Sequence, residues 1–405
     1  MTVLADAKPE DAGLSSSGLD AVDAGLQALI DKGELAGAVT LVARHGKVAR
    51  RSILGLDNRG KYTPLKRDTI FRIYSMTKPV TAVAMMILWD RGLWQPDDPI
   101  EKHLPQFKGV RVFDGLDADG KPKTVPADHP PTLRELLTHT AGLTYGWGDA
   151  DIDKIYRAAH IWGGDSLADF AERVGKLPLV YQPGTKWLYS ISMDVQGALI
   201  EKLTGESLPD FMQNYIFGPL GMSETGFYVP SAKLDRLAAL YRTTSEGGIV
   251  QLDKPPMGNH FEPPKAANGG GGLVSTLDDY ARFAQMLLNK GDLDGVRVVS
   301  PEAVALMSTN QLSDEMMRKG FGIGAQMIRP GFGHGFNCAV FTDPAAAGIP
   351  VGKGSFQWDG AAGTWFWVDP ANDLIFVGMI QRFQLNPSMA NCQQLTQKLI
   401  AGALL

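Results

Sequence analysis

After a polar lead-in the apolar positions Leu19, Val22, Leu26, Leu29 and Ile30 recur at helical spacing and stop near Gly33, which predicts a helix. The period then changes. "GAVTLVAR" and "KVARRSILG" read as two strands joined at His45-Gly46, a hairpin. The far end mirrors this pattern with "GSFQWDG", "GTWFWVDP" and "LIFVGMIQR", where "PAND" forms the second turn. A last helix carries Met389, Cys392, Leu395 and Leu399. Residues 75–324 hold mostly helical patterns between loops rich in Gly and Pro. The predicted architecture is α+β, an α/β sandwich whose antiparallel sheet comes from both chain ends and is flanked by the terminal helices. It divides into residues 1–74 with 325–405 as the sheet domain and 75–324 as an inserted, mainly helical domain. The active site is expected in the cleft between them, with residues 109–131 and 242–268 as long loops walling it.

Composition narrows the classes. The 405 residues are 44% hydrophobic and 20% charged, ordinary for a globular chain with a substantial core. A net charge of −5 argues against a nucleic-acid or anionic-membrane partner held by charge alone. The start lacks a basic stretch followed by an apolar one, and no apolar run reaches the length of a membrane span, so a cytoplasmic protein is expected. Cys338 and Cys392 are too few for a disulfide framework, and none of the seven histidines has metal-ligand spacing.

Three stretches carry candidate chemistry. In "FRIYSMTKPVTAVAMMILWDRG", Ser75 stands at a helix start and Lys78 follows one turn later on the same face. A serine there is usually a cap. A lysine in the first turn, however, meets the positive end of the helix dipole, which with partial burial favours a neutral, proton-accepting amine. In "YQPGTKWLYSISMDVQGALIEKLTGES", Tyr189 sits just before a helix, either as a core aromatic or as a phenol aimed into a cleft. In "QWDGAAGTWFW", Gly360 and Gly363 mark close approach to the backbone, from a β-bulge or from an N–H aimed at an oxyanion. Trp358, Trp365 and Trp367 fit a pocket wall, and sheet packing accounts equally well for the last two.

Taken in order, S-M-T-K, the tyrosine after "PGTKWL" and W-D-G-A-A-G resemble the serine β-lactamase-like superfamily, and more narrowly the family VIII carboxylesterases related to class C β-lactamases. "LRELLTHTAGLTYG" and "NGGGGLVSTLDDYARFAQMLLNKG" extend the resemblance over most of the chain. It implies Ser75 as nucleophile, Lys78 as its neighbouring amine and Tyr189 as general base, with the N–H groups of Ser75 and Ala361 as oxyanion hole. Trp358 stands where β-lactamases carry a Lys or His, and Ile191 where they carry an Asn, so both changes favour uncharged esters. Asp359 departs from the usual W-G-G and has no account at this stage. Gly360, Tyr145, Trp147 and His334 complete the expected pocket, His334 on a glycine-rich mobile loop. His139 is expected to be structural, bonded across a turn.

The expected activity is hydrolysis of small to medium uncharged carboxylic esters through an acyl-enzyme, with no metal or organic cofactor. The alternatives are acyl transfer to an alcohol, weak β-lactamase or D-amino-acid peptidase activity, and an inactive binding scaffold. "GGDSLAD" lacks a late D-x-x-H partner, no G-x-S-x-G elbow occurs, and glycines 269–272 lack phosphate-loop spacing and read as a tight turn lining the cleft.

Overall fold

The computed structural model describes residues 4–319, 321–323, 326–328, 330–383 and 389–405. Its central sheet comes from both ends of the chain. The strands are β1 (Gly37–Arg44), β2 (Lys47–Asn58), β3 (Thr63–Pro64), β4 (Phe332–His334), β5 (Ala339–Phe341), β6 (Phe356–Asp359), β7 (Trp365–Asp369) and β8 (Leu374–Met379). They pair antiparallel in the order β4-β5-β6-β7-β8-β1-β2-β3. The β1–β2 turn places His45 and Gly46 at φ 53° and 70°, the left-handed pair that a tight hairpin requires. The five principal helices are α1 (Ser16–Asp31), α2 (Thr77–Asp90), α3 (Ser192–Thr204), α4 (Leu277–Leu288) and α5 (Cys392–Ala401). No helix among the described residues is long and apolar enough to cross a membrane.

Alternation along the strands decides which layer each side chain joins. On β7, Trp365 and Trp367 join Leu19, Val22, Leu26 and Ile400 of α1 and α5, while Phe366 and Val368 turn to the opposite core with α2 and α4. Trp367 stacks on Phe376 with centroids 4.3 Å apart, so these two tryptophans are sheet packing and not pocket wall. Gly378 is opposite Trp365 in register, and a Cβ there would lie 2.2 Å from the indole. Only glycine lets that ring lie across the strand.

The central part of the chain is not purely helical. The expected loop 109–131 contains a hairpin, Arg111–Leu116 with Pro122–Pro126, and loop 242–268 contains part of another, Tyr241–Thr243 with Ile249–Gln251. The expected domain junction at 324–325 lies outside the described residues. Helix α2 is buried on every side from Thr77 to Leu88, which is why its sequence lacks a polar face and why it can hold a side chain rigidly in the cleft.

Candidate active site

Ser75 is not a helix cap. It lies in a 3-10 turn, Tyr74–Met76, that feeds α2, and no side chain caps that helix. Its Oγ is instead 2.6 Å from Tyr189 Oη and accepts from Lys78 Nζ at 3.2 Å. The preceding residue, Tyr74, has φ 42°, a conformation costing on the order of 1–3 kcal/mol for a non-glycine residue. The surroundings fix it. Ile73 N–H donates to Leu273 O (3.1 Å), Tyr280 Oη to Met76 O (2.9 Å) and Gln381 Nε2 to Arg72 O (3.0 Å). Pro79, third in α2, falls where the helix needs no donor.

Lys78 is 1% exposed. Its Nζ donates to Gly270 O (2.6 Å) and Tyr145 Oη (3.2 Å) as well as to Ser75, and it lies 4.5 Å from the centre of the Tyr189 ring. Burial pushes the amine below the ordinary lysine range, while the Asp194 and Asp359 carboxylates oppose that shift. Asp194, fully buried in the first turn of α3, accepts from Gly270 N–H at 2.8 Å. Burial raises its pKa, against the pull of Lys78. A Cβ on Gly270 would lie 2.7 Å from Tyr145 Oη and 2.9 Å from Asp194, so the glycine run packs its backbone directly onto this network.

Tyr189 is held by His139 from both sides. Leu188 N–H donates to His139 O (2.9 Å), Ser190 N–H donates to His139 Nδ1 (3.1 Å), and the two rings lie 4.9 Å apart. His139 itself has φ 62° and is kept neutral, first by burial and then by His334 and Lys78. Burial raises the Tyr189 phenol pKa, and the Ser75 hydrogen bond opposes this. A phenol so placed keeps its proton at rest, whereas the buried lysine amine readily lacks one. The sequence left open how the proton is shared between Lys78 and Tyr189, and these two directions favour the lysine as acceptor.

The end of β6 presses against the turn that carries Ser75. A Cβ on Gly360 would lie 2.3 Å from Ile73 O, and Thr364 Oγ1 donates to that same carbonyl at 3.2 Å. Gly360 N–H is engaged by Thr364 O (2.7 Å). The N–H groups of Ala361 and Ser75 donate to no carbonyl or side chain among the described residues, the pair of free donors that an oxyanion site needs.

The remaining expected pocket residues separate into two groups. Trp147 is 64% exposed and stacks on Tyr145 with centroids 4.2 Å apart, forming an aromatic rim. Trp358 and Ile191 are buried at 4% and 0%, so they back the site and are not an open wall. The Trp358 ring lies 6.1 Å from that of Tyr189, and its indole N–H makes no hydrogen bond among the described residues. His334 does not ride a mobile cleft loop. It closes strand β4, is fully buried against His139 (5.6 Å), Trp187 (5.6 Å) and Trp358 (5.5 Å), and bonds its Nδ1 to Gly335 O at 2.7 Å. Sequence reasoning missed Asp194 and the polar role of Tyr145. Asp194 is an acid among the buried residues that open α3, a helix that also carries Gln196, Glu201 and Lys202, and nothing local says that Lys78 lies near it.

With this geometry in view, the chain matches the family model described as Beta-lactamase over residues 22–399. It is 41% identical over 369 residues to an uncharacterized protein of Mycobacterium tuberculosis, covering 90% of each chain. It is 34% identical over 381 residues to Esterase EstB of Burkholderia gladioli, covering 89% of each. Among solved structures, EstCE1, described as a hydrolase with promiscuous acyltransferase activity, superposes with a TM-score of 0.77 at 27% identity, covering 95% of this chain and 99% of that one.

Proposed function

Since the chain belongs to the beta-lactamase family, on its family VIII carboxylesterase branch, we propose that it hydrolyses small to medium carboxylic esters through an acyl-enzyme on Ser75. The observation that carries this reading is the convergence of Lys78 Nζ and Tyr189 Oη on one serine oxygen, at 3.2 and 2.6 Å. The neutral Lys78 amine takes the serine proton as Oγ attacks the ester carbonyl. The carbonyl oxygen becomes an oxyanion against the N–H groups of Ser75 and Ala361. Tyr189, in its protonated form, gives its proton to the leaving alcohol, and the Lys78 ammonium replaces it through a water, since the acylated Ser75 Oγ no longer carries a proton. Hydrolysis runs the same relay with water in place of the alcohol. Trp147 and Tyr145 offer an aromatic rim to the substrate, and the buried Trp358 and Ile191 place no cation where a β-lactam carboxylate would need one.

Hydrolysis of p-nitrophenyl acetate, butyrate and octanoate, beside nitrocefin, tests this reading in wild type and Ser75→Ala. Ester turnover that vanishes in the variant, with little nitrocefin cleavage, supports it; preferential nitrocefin cleavage refutes it. A second reading, transfer of the same acyl group to an alcohol, draws on the likeness to EstCE1. Measuring ester product against acid product with added alcohol separates the two.

A further inference from the structure

Asp359 ends strand β6, two residues before Ala361. Its neighbours Trp358 and Gly360 are buried, yet Asp359 keeps part of its surface, and it makes no hydrogen bond or ion pair among the described residues. The groups that feel its charge are those at the reacting centre: Lys78 on α2, which it favours in the charged form, and Tyr189 before α3, whose proton it helps retain. Trp365, opposite it on β7, is uncharged. An acid without a cationic partner at the edge of a desolvated site is costly, and a substrate charge close by either relieves or compounds that cost. Tyr189 hands its proton to the leaving oxygen, so the alcohol portion of the ester stands on the side where Asp359 acts.

We propose that Asp359 selects the alcohol portion of the substrate by charge, admitting uncharged and cationic leaving groups and turning away anionic ones. The proposal rests on the esterase reading above and narrows its substrate class. Charges several ångströms apart in a partly desolvated site change affinity by about tenfold. Burial raises the Asp359 carboxyl to about 6, with Lys78 opposing, so the selection belongs to the ionised form and fades as pH falls through that value.

The test uses three thioacetates: acetylthiocholine, its uncharged tert-butyl isostere and one ending in a sulfonate, whose charges do not titrate. Released thiol gives kcat/KM for wild type, Ser75→Ala and Asp359→Asn. We expect the cationic-to-anionic ratio to drop by about tenfold in Asp359→Asn, and by a similar factor in wild type between about pH 8 and about pH 5. Lys78, lowered to about 7, and Asp194, raised to about 6, change charge over the same range and also act on charged substrates. The pH series is therefore read as the difference between wild type and Asp359→Asn. Asp359→Glu, which keeps the charge, is the second variant and should hold the wild-type ratio. Ser75-dependent turnover of the isostere with a ratio that Asp359→Asn leaves unchanged at about pH 8 overturns the inference and leaves the esterase reading standing. Absence of Ser75-dependent turnover of the isostere and of p-nitrophenyl esters overturns both.

Discussion

Gly360→Ala perturbs a close contact between the end of the oxyanion strand and the nucleophile turn. The new Cβ would meet Ile73 O and Thr364 Oγ1, each at 2.3 Å. An ordinary carbon–oxygen contact is about 1 Å longer. The threonine side chain can rotate away, but Ile73 O belongs to the backbone and already takes the Thr364 hydroxyl and Met76 N–H (3.0 Å). The end of β6 must therefore retreat, carrying the Ala361 N–H away from the oxyanion by several tenths of an ångström to about 1 Å. Misplacement on that scale costs about 100-fold, and outright loss of one oxyanion donor about 100- to 1,000-fold. The assay is kcat for p-nitrophenyl butyrate, with a thermal melt to confirm folding. We expect kcat to fall by about 100-fold with KM changing much less, because the lost interaction forms chiefly in the transition state. Gly402→Ala is the control: it too introduces a Cβ, at an exposed position with φ −74° and nothing nearer than 3.5 Å, and should leave kcat unchanged. A folded Gly360→Ala enzyme with wild-type kcat would refute the assignment of Ala361 N–H to the oxyanion.

Two further outcomes follow from the buried titrating groups. Lys78→Arg keeps a cation but removes the proton acceptor, so kcat should fall by about 100- to 10,000-fold, and steady-state hydrolysis at alkaline pH should not restore it; recovery of more than a tenth of wild-type activity would return the base role to Tyr189. His334 is held neutral with its pKa lowered from 6.5 to about 3 by burial, so the unfolded chain takes up a proton in acid that the folded one refuses. That contribution is intact above about pH 6.5 and is lost progressively towards pH 3. His334→Phe should therefore lose less stability than wild type on acidification, by about 2 kcal/mol at pH 5, as read from urea unfolding; parallel curves would show that the histidine titrates normally.

The sequence by itself determined what depends on near neighbours in the chain. Strand-like runs bounded by turn residues marked β1, β2, β6, β7 and β8, of which β1, β7 and β8 bury nearly every position on both faces, and helical spacing marked α1 and α5. The three-residue step from Ser75 to Lys78 was legible too, since one helical turn fixes their separation. Only the tertiary structure decided what depends on distant parts of the chain. It brought Tyr189 within 2.6 Å of Ser75 across 114 positions, and Gly270 O to Lys78 across 192. It buried His334, which its glycine-rich surroundings suggested was mobile, and sent Trp365 and Trp367 to the helices behind the sheet. It also buried Lys78 and Tyr189, which pushes the amine down and the phenol up. A pKa is fixed by how completely a group leaves water and which charges surround it there, and the packing that settles both comes from segments no local pattern can pair.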